Sequence, residues 1–179
     1  MGIGAPVIVV GTGRCGTSVV ARLLETECGV DMGGPHDTGR KSNPGGDWED
    51  QEIKAINDAF AKNEITPMQH RIALLSIDRP EVWGFKHPGC ANYAHVLQAV
   101  FPSASMIWCK RDLDDTAKSF AKAYRRNAES CMNTVLRRHR GLATTIGSRQ
   151  HTLVLDMTDH RDEDELVDTL KTYLKGRGI

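Results

Sequence analysis

Residues 6–18 read Pro6-Val-Ile-Val-Val10-Gly11-Thr-Gly-Arg-Cys-Gly16-Thr-Ser18. The apolar, β-branched run up to Val10 has the composition of a strand buried on both faces. Gly11–Gly16 follows as a Gly-rich turn. Thr17–Cys28 then carries Val19, Val20, Leu23 and Leu24 at helical spacing. A tight strand–turn–helix of this kind gathers backbone N–H groups at the positive end of a helix and so makes an anion site. Gly11, Gly13 and Gly16 satisfy the dinucleotide pattern GxGxxG. That reading also needs a second strand about 20 residues on, ending in an acid for the ribose. Asp31 stands at that distance, but Gly29-Val-Asp-Met-Gly-Gly34 has no strand before it. The nucleoside-triphosphate pattern GxxxxGK[ST] is met at Gly11, Gly16 and Ser18, with Thr17 where the phosphate-binding Lys belongs.

Downstream, strand and helix patterns alternate. Helices are expected over 49–62, 67–77, 92–101, 114–126, 129–146 and 162–174. Further strands are expected at 82–86, 105–109 and 152–156. Such alternation predicts a parallel sheet covered on both faces. Residues 29–47 are too rich in Gly and Pro for a core element, and loops of that length are often functional. At 179 residues, with 40% hydrophobic and 26% charged residues, the chain suits one globular domain over 1–179.

Lys plus Arg equals Asp plus Glu at 23 each, so net charge argues for no nucleic-acid partner. A basic bias does run from Lys110 to Arg149, suited to phosphates, nucleic acid or acidic sugars, or to solvated helix faces. The five cysteines are odd in number and lack CxxC spacing, which reads as reduced thiols in a cytoplasmic protein. The N-terminus does not read as a signal peptide. No stretch approaches the ~20 apolar residues of a membrane span.

Gly11-Thr-Gly-Arg-Cys-Gly-Thr-Ser18 resembles the 5′-phosphosulfate loop of sulfotransferases, in which a basic residue precedes Ser-Gly-Thr-Thr/Ser. Arg14 takes the basic position and Cys15 replaces the usual Ser. Met106-Ile-Trp-Cys109 is followed by Lys110-Arg111, and Ser119 lies eight residues after Arg111. The same family places an Arg at this strand end and a Ser eight residues later, both on the 3′-phosphate of the cofactor. Asn43-Pro-Gly-Gly-Asp-Trp-Glu49-Asp resembles a segment of bacterial-type members. Gly84-Phe-Lys86-His87-Pro88 resembles the family strand that ends in Lys with a nearby His.

The resemblance spans residues 7 to about 174. It implies a P-loop NTPase-like three-layer α/β/α fold with a mainly parallel sheet of four to five strands, the strand at 7–10 lying between those at 82–86 and 105–109. It further implies transfer of a sulfuryl group from 3′-phosphoadenosine 5′-phosphosulfate to a hydroxyl or amine, with no metal required. The cofactor would be held by Gly11, Thr12, Gly13, Arg14, Cys15, Gly16, Thr17, Ser18, Arg111 and Ser119. Arg14 and Lys86 would stabilise the transferring group, and Glu49 or His87 would be the base. Asp47 and Asp50 are weaker candidates. Trp48 either lines the acceptor pocket or anchors the loop.

There are departures. Val19 and Val20 stand where some members have an adenine-stacking aromatic. Lys175-Gly-Arg-Gly178 is a faint echo of a late Arg-Lys-Gly segment. The chain is shorter than typical members, which leaves room for a homo-oligomer whose second subunit completes the acceptor pocket. A P-loop kinase and a non-catalytic phosphonucleotide binder stay open as alternatives.

Overall fold

The computed structural model describes residues 4–34, 45–146, 151–158 and 162–179. Val7–Gly11 forms β1, which is wholly buried. It pairs in parallel with β2 (Gly84–Lys86) on one side and β3 (Ser105–Lys110) on the other. β4 (Thr152–Asp156) extends the sheet beyond β3, giving the order β2-β1-β3-β4. The expected middle position of β1 and its two neighbours are therefore observed, with four strands among the described residues.

Side chains alternate across the sheet with the period of two that strands impose. Ile8, Val10, Met106 and Trp108 face one layer. That layer holds α2 (Gln51–Ala61), α3 (Pro67–Leu75), α4 (Ala94–Val100) and α6 (Ala128–Thr145). Val7, Val9, Ile107 and Cys109 face the other, formed by α1 (Thr17–Cys28) and α7 (Glu163–Gly176). Burying each such aliphatic side chain is worth ~1.5–3 kcal/mol, so a near-continuous apolar β1 is what a two-sided core demands. α5 (Leu113–Tyr124) packs on α6 through a smaller cluster around Ala117, Cys131 and Val135.

Several boundaries differ from the sequence expectation, each for a local reason. α2 starts at Gln51 because the Asp50 carboxylate accepts the Ile53 N–H at 3.0 Å and caps the helix. Glu49 therefore precedes the helix and is not a first-turn acid. α3 opens on a Thr66/Gln69 capping box with Pro67 at its start, and stops at Leu75. β2 is three residues long because the register with its partner β1 begins at Val7 opposite Gly84, and along its other edge Asp31 makes a single bridge at Trp83. The Asp31 N–H donates to the Val82 carbonyl and the Gly84 N–H to the Asp31 carbonyl. Gly84 is required here: a Cβ would lie 2.5 Å from the Val7 carbonyl oxygen. Pro88–Asn92 forms a 3₁₀ turn, so α4 begins at Ala94. α5 ends at Tyr124, because Arg125, with a φ of 51°, breaks the helix.

Between α1 and α2 the strand pairing among the described residues is the single bridge at Asp31, and the neighbours of β1 come from 84–86 and 105–110. A dinucleotide-type second strand beside β1 is absent there. Asn43 and Pro44 lie outside the described residues.

Candidate active site

The C-terminal ends of β1, β2 and β3 open into a cleft of about 580 Å³. Crevices beyond the carboxyl ends of parallel strands are where open α/β sheets bind ligands. Gly13, Arg14, Gly16, Thr17 and Ser18 reach it from the first loop, Lys86 and His87 from the end of β2, and Arg111 and Ser119 from the end of β3 and α5. Asp47 and Glu49 reach it from the segment before α2. Gly11, Thr12 and Cys15 do not line it. Gly11 closes β1. The Cys15 thiol is fully buried, and burial pushes its pKa up, so it stays a neutral packing group.

The loop is held in the shape an anion site needs. Gly13 and Gly16 have φ of 89° and 83°, and Arg14 shares the left-handed region at 57°. α1 has no side-chain cap and no acid in its first turn. Its positive end is left for a ligand. The Ser18 hydroxyl donates to the Asp47 carbonyl at 3.2 Å, tying the loop to the segment before α2.

Two residues 105 positions apart meet across the cleft. Arg14 Nε donates to Ser119 Oγ at 3.2 Å. The Arg111 Nε is buried and has no hydrogen-bond partner among the described residues. A buried donor in that state is costly, and a phosphate oxygen would satisfy it.

Lys86 is 3% exposed, which rules out a surface lysine. Its Nζ donates to Glu49 Oε1 at 3.0 Å, and both groups are buried. His87 has both ring nitrogens facing protein. Nε2 lies 3.4 Å from Asp58 Oδ1 and Nδ1 lies 3.5 Å from Cys90 Sγ. Burial lowers the His87 pKa, against the charges of Glu49 and Asp58, which raise it. Burial raises the Asp58 pKa, but the hydrogen bond from Lys54 at 2.5 Å and the charge of His87 together hold it below its ordinary value. The same environment pushes the Cys90 thiol up to about 12, chiefly by burial.

The remaining candidates divide. Asp50 caps α2 and pairs with Arg79, outside the cleft. Trp48 has a φ of 54°, and its indole N–H donates to the Gly45 carbonyl at 2.6 Å. It packs with the α1/α7 layer and anchors the loop. Arg177 of the C-terminal echo bonds Ser105, Ser103 and His151, at the N-terminal end of β3 and so at the opposite edge of the sheet. That segment supplies no cation to the cleft.

The cleft also takes residues that the sequence did not single out, among them Asp58, Phe120 and Arg138. For Arg138 a signal exists. Cys131, Val135 and Leu142 form the buried stripe of α6, and Arg138 stands in the same i, i+4, i+7, i+11 series. A charge at a core position of an amphipathic helix is rarely tolerated without a partner or a ligand, and so marks a site. Asp58 and Phe120 carry no comparable mark. Among the described residues no group of three or more His, Cys, Asp or Glu could hold a metal ion, and no helix is long and apolar enough to cross a membrane.

A model of the sulfotransferase family matches residues 6–168. No curated protein matches the sequence. Among solved structures, a shikimate kinase from Bacteroides thetaiotaomicron superposes with a TM-score of 0.64 at 9% identity, covering 96% of this chain and 98% of its own. The sulfotransferase STF9 from Mycobacterium avium gives 0.60 at 16% identity, covering 98% of this chain. This chain spans 64% of that protein's length. The sulfotransferase domain from the curacin biosynthetic pathway gives 0.64 at 11% identity, over 98% of this chain and 75% of that one. At these identities the likeness concerns the fold, a P-loop α/β fold that kinases and sulfotransferases share.

Proposed function

The chain belongs to the sulfotransferase family, and on that premise we propose that it transfers a sulfuryl group from 3′-phosphoadenosine 5′-phosphosulfate to a hydroxyl or amine acceptor. The observation that carries this reading is the contact of Arg14 with Ser119 in a cleft that also takes Arg111 and Lys86. Thr17 in place of the triphosphate-binding lysine weighs against ATP as donor.

The residues fit the nucleotide. The backbone N–H groups of Gly13–Gly16, with the Thr17 and Ser18 hydroxyls, would hold the 5′-phosphate. The orphaned Nε of Arg111 and the hydroxyl of Ser119 would take the 3′-phosphate. Once bound, the nucleotide supplies an activated sulfuryl group whose leaving group is a phosphate. Arg14 and Lys86 would place positive charge where negative charge develops. Excluding water around them strengthens that effect.

Glu49 is assigned as base. Its carboxylate borders the cleft 3.0 Å from Lys86, so the group that would receive the acceptor's proton stands beside one that would steady the transferring sulfuryl. His87 is the second choice, because Asp58 and Cys90 hold its two nitrogens.

The test is release of adenosine 3′,5′-bisphosphate from the donor, with a panel of alcohols and amines as acceptors and a chelator present. Acceptor-dependent release without metal is expected. Magnesium-dependent phosphoryl transfer from ATP, with no release from the sulfated nucleotide, would assign the chain to the kinase reading.

A further inference from the structure

Arg138 projects from α6 towards the same loop. Its Nη1 donates to the Thr12 carbonyl at 3.0 Å, and its guanidinium lies 5.8 Å from the Phe120 ring centroid. A Cβ on Gly13 would come within 3.4 Å of that Nη1, so the guanidinium sits directly against the phosphate loop. Its Nε is buried and makes no hydrogen bond. Among the described residues no carboxylate pairs with it. The groups that act on its charge are desolvation first, then Arg137, Tyr124, Cys15 and Tyr93. Burial accordingly lowers its pKa.

A half-buried cation whose Nε is shut off from water, with only a carbonyl and a ring as partners, is a cost to the empty protein. Such costs persist where a ligand repays them. The cleft it borders also takes Arg14, Arg111 and Ser119, and its carboxylates have other cationic partners: Glu49 meets Lys86, and Asp58 meets Lys54 and His87.

We propose that Arg138 is a nucleotide-binding residue, a third arginine that donates to a phosphate of the bound nucleotide through its unpartnered nitrogens while its Nη1 fixes the loop at Thr12. The proposal rests on the nucleotide site described above. It differs from a purely structural role in sign. A strut stabilises the empty protein, whereas an uncompensated cation destabilises it.

The experiment compares wild type, Arg138→Met and Arg138→Lys. Melting temperature is read without ligand, and affinity for adenosine 3′,5′-bisphosphate is read by calorimetry. Met keeps the side-chain length and removes the charge. Lys keeps the charge and loses the fork. Arg138→Met should melt no lower than wild type yet bind about 10- to 100-fold more weakly, the ratio expected for hydrogen bonds to a charged group. Arg138→Lys should bind with intermediate affinity. If Met does not fold, the Lys variant decides on affinity alone. Affinity within about twofold of wild type in whichever variant folds overturns the proposal. So does an empty Met variant that melts lower and binds as tightly as wild type. Should wild type bind magnesium-ATP but not the bisphosphate, the sulfuryl-donor reading falls, and the same variants titrated with ATP still decide on Arg138. A wild type that binds neither overturns both.

Discussion

Glu49 and His87 reach the cleft from different elements, and their surroundings give them different freedom. Glu49 meets Lys86 at 3.0 Å, while His87 lies between Asp58 and Cys90. Glu49→Gln keeps the shape and an acceptor for Lys86 but removes the proton acceptor. It should lower turnover roughly 10²–10⁴-fold and leave nucleotide affinity nearly unchanged. His87→Asn should do less. Steady-state rates with a turned-over acceptor, beside calorimetric affinities, check this. Parental turnover in the Gln variant and none in the Asn variant would move the base to His87, with Asp58 orienting it. At this scale the sequence was informative where a motif fixed the spacing: Arg14, Arg111 and Ser119 all reach the cleft. It was mute on pairings such as Lys86–Glu49, because contacts between residues 37 positions apart leave no local pattern.

The Gly-rich loop after β1 shows what an element can bear. Gly13 has a φ of 89°, and a Cβ there would lie 2.8 Å from Phe120 Cζ. Left-handed backbone costs a non-glycine residue ~1–2 kcal/mol before any contact is counted. Gly13→Ala should therefore lose at least about that much stability in chemical denaturation and weaken nucleotide binding. A variant with unchanged stability would mean that the loop relaxes freely. All the expected helices and strands exist among the described residues. Their ends were harder to read. Asp50 could be a first-turn acid or a cap by sequence alone, and only its bond to the Ile53 N–H decides. Val82 and Trp83 have strand composition, but the register with β1 begins only at Gly84. Arg138 was hidden by its neighbours Arg137 and Arg140, which made one core position look like part of an exposed basic face.

Across the whole molecule, two buried histidines tie stability to pH. His70 is fully buried, stacks on Phe60 with ring centroids 4.3 Å apart, and bonds Asn57 at 2.9 Å. Burial lowers its pKa below 6.5, as it does for His87. The unfolded chain therefore takes up protons that the folded chain refuses. The stability these groups contribute is complete above about pH 6.5 and is lost as pH falls from there towards the folded values. Melting temperature should drop between pH 7.5 and 5.5, and His70→Gln should flatten part of the drop. An identical pH slope in the variant would assign the effect elsewhere.

The Gly-rich loop, Arg111 and Ser119 meet at one edge of the sheet because β3 lies parallel beside β1. That convergence should be read out by the nucleotide the protein prefers. Calorimetric titration of the wild-type chain with adenosine 3′,5′-bisphosphate, adenosine 5′-phosphate and magnesium-ATP tests it most directly. The bisphosphate should bind tightest, without metal, and at least about tenfold more tightly than the monophosphate, as hydrogen bonds to the 3′-phosphate require. Magnesium-ATP binding tighter than the bisphosphate, or equal affinity for the bisphosphate and the monophosphate, would contradict a site built for a 3′-phosphorylated sulfuryl donor.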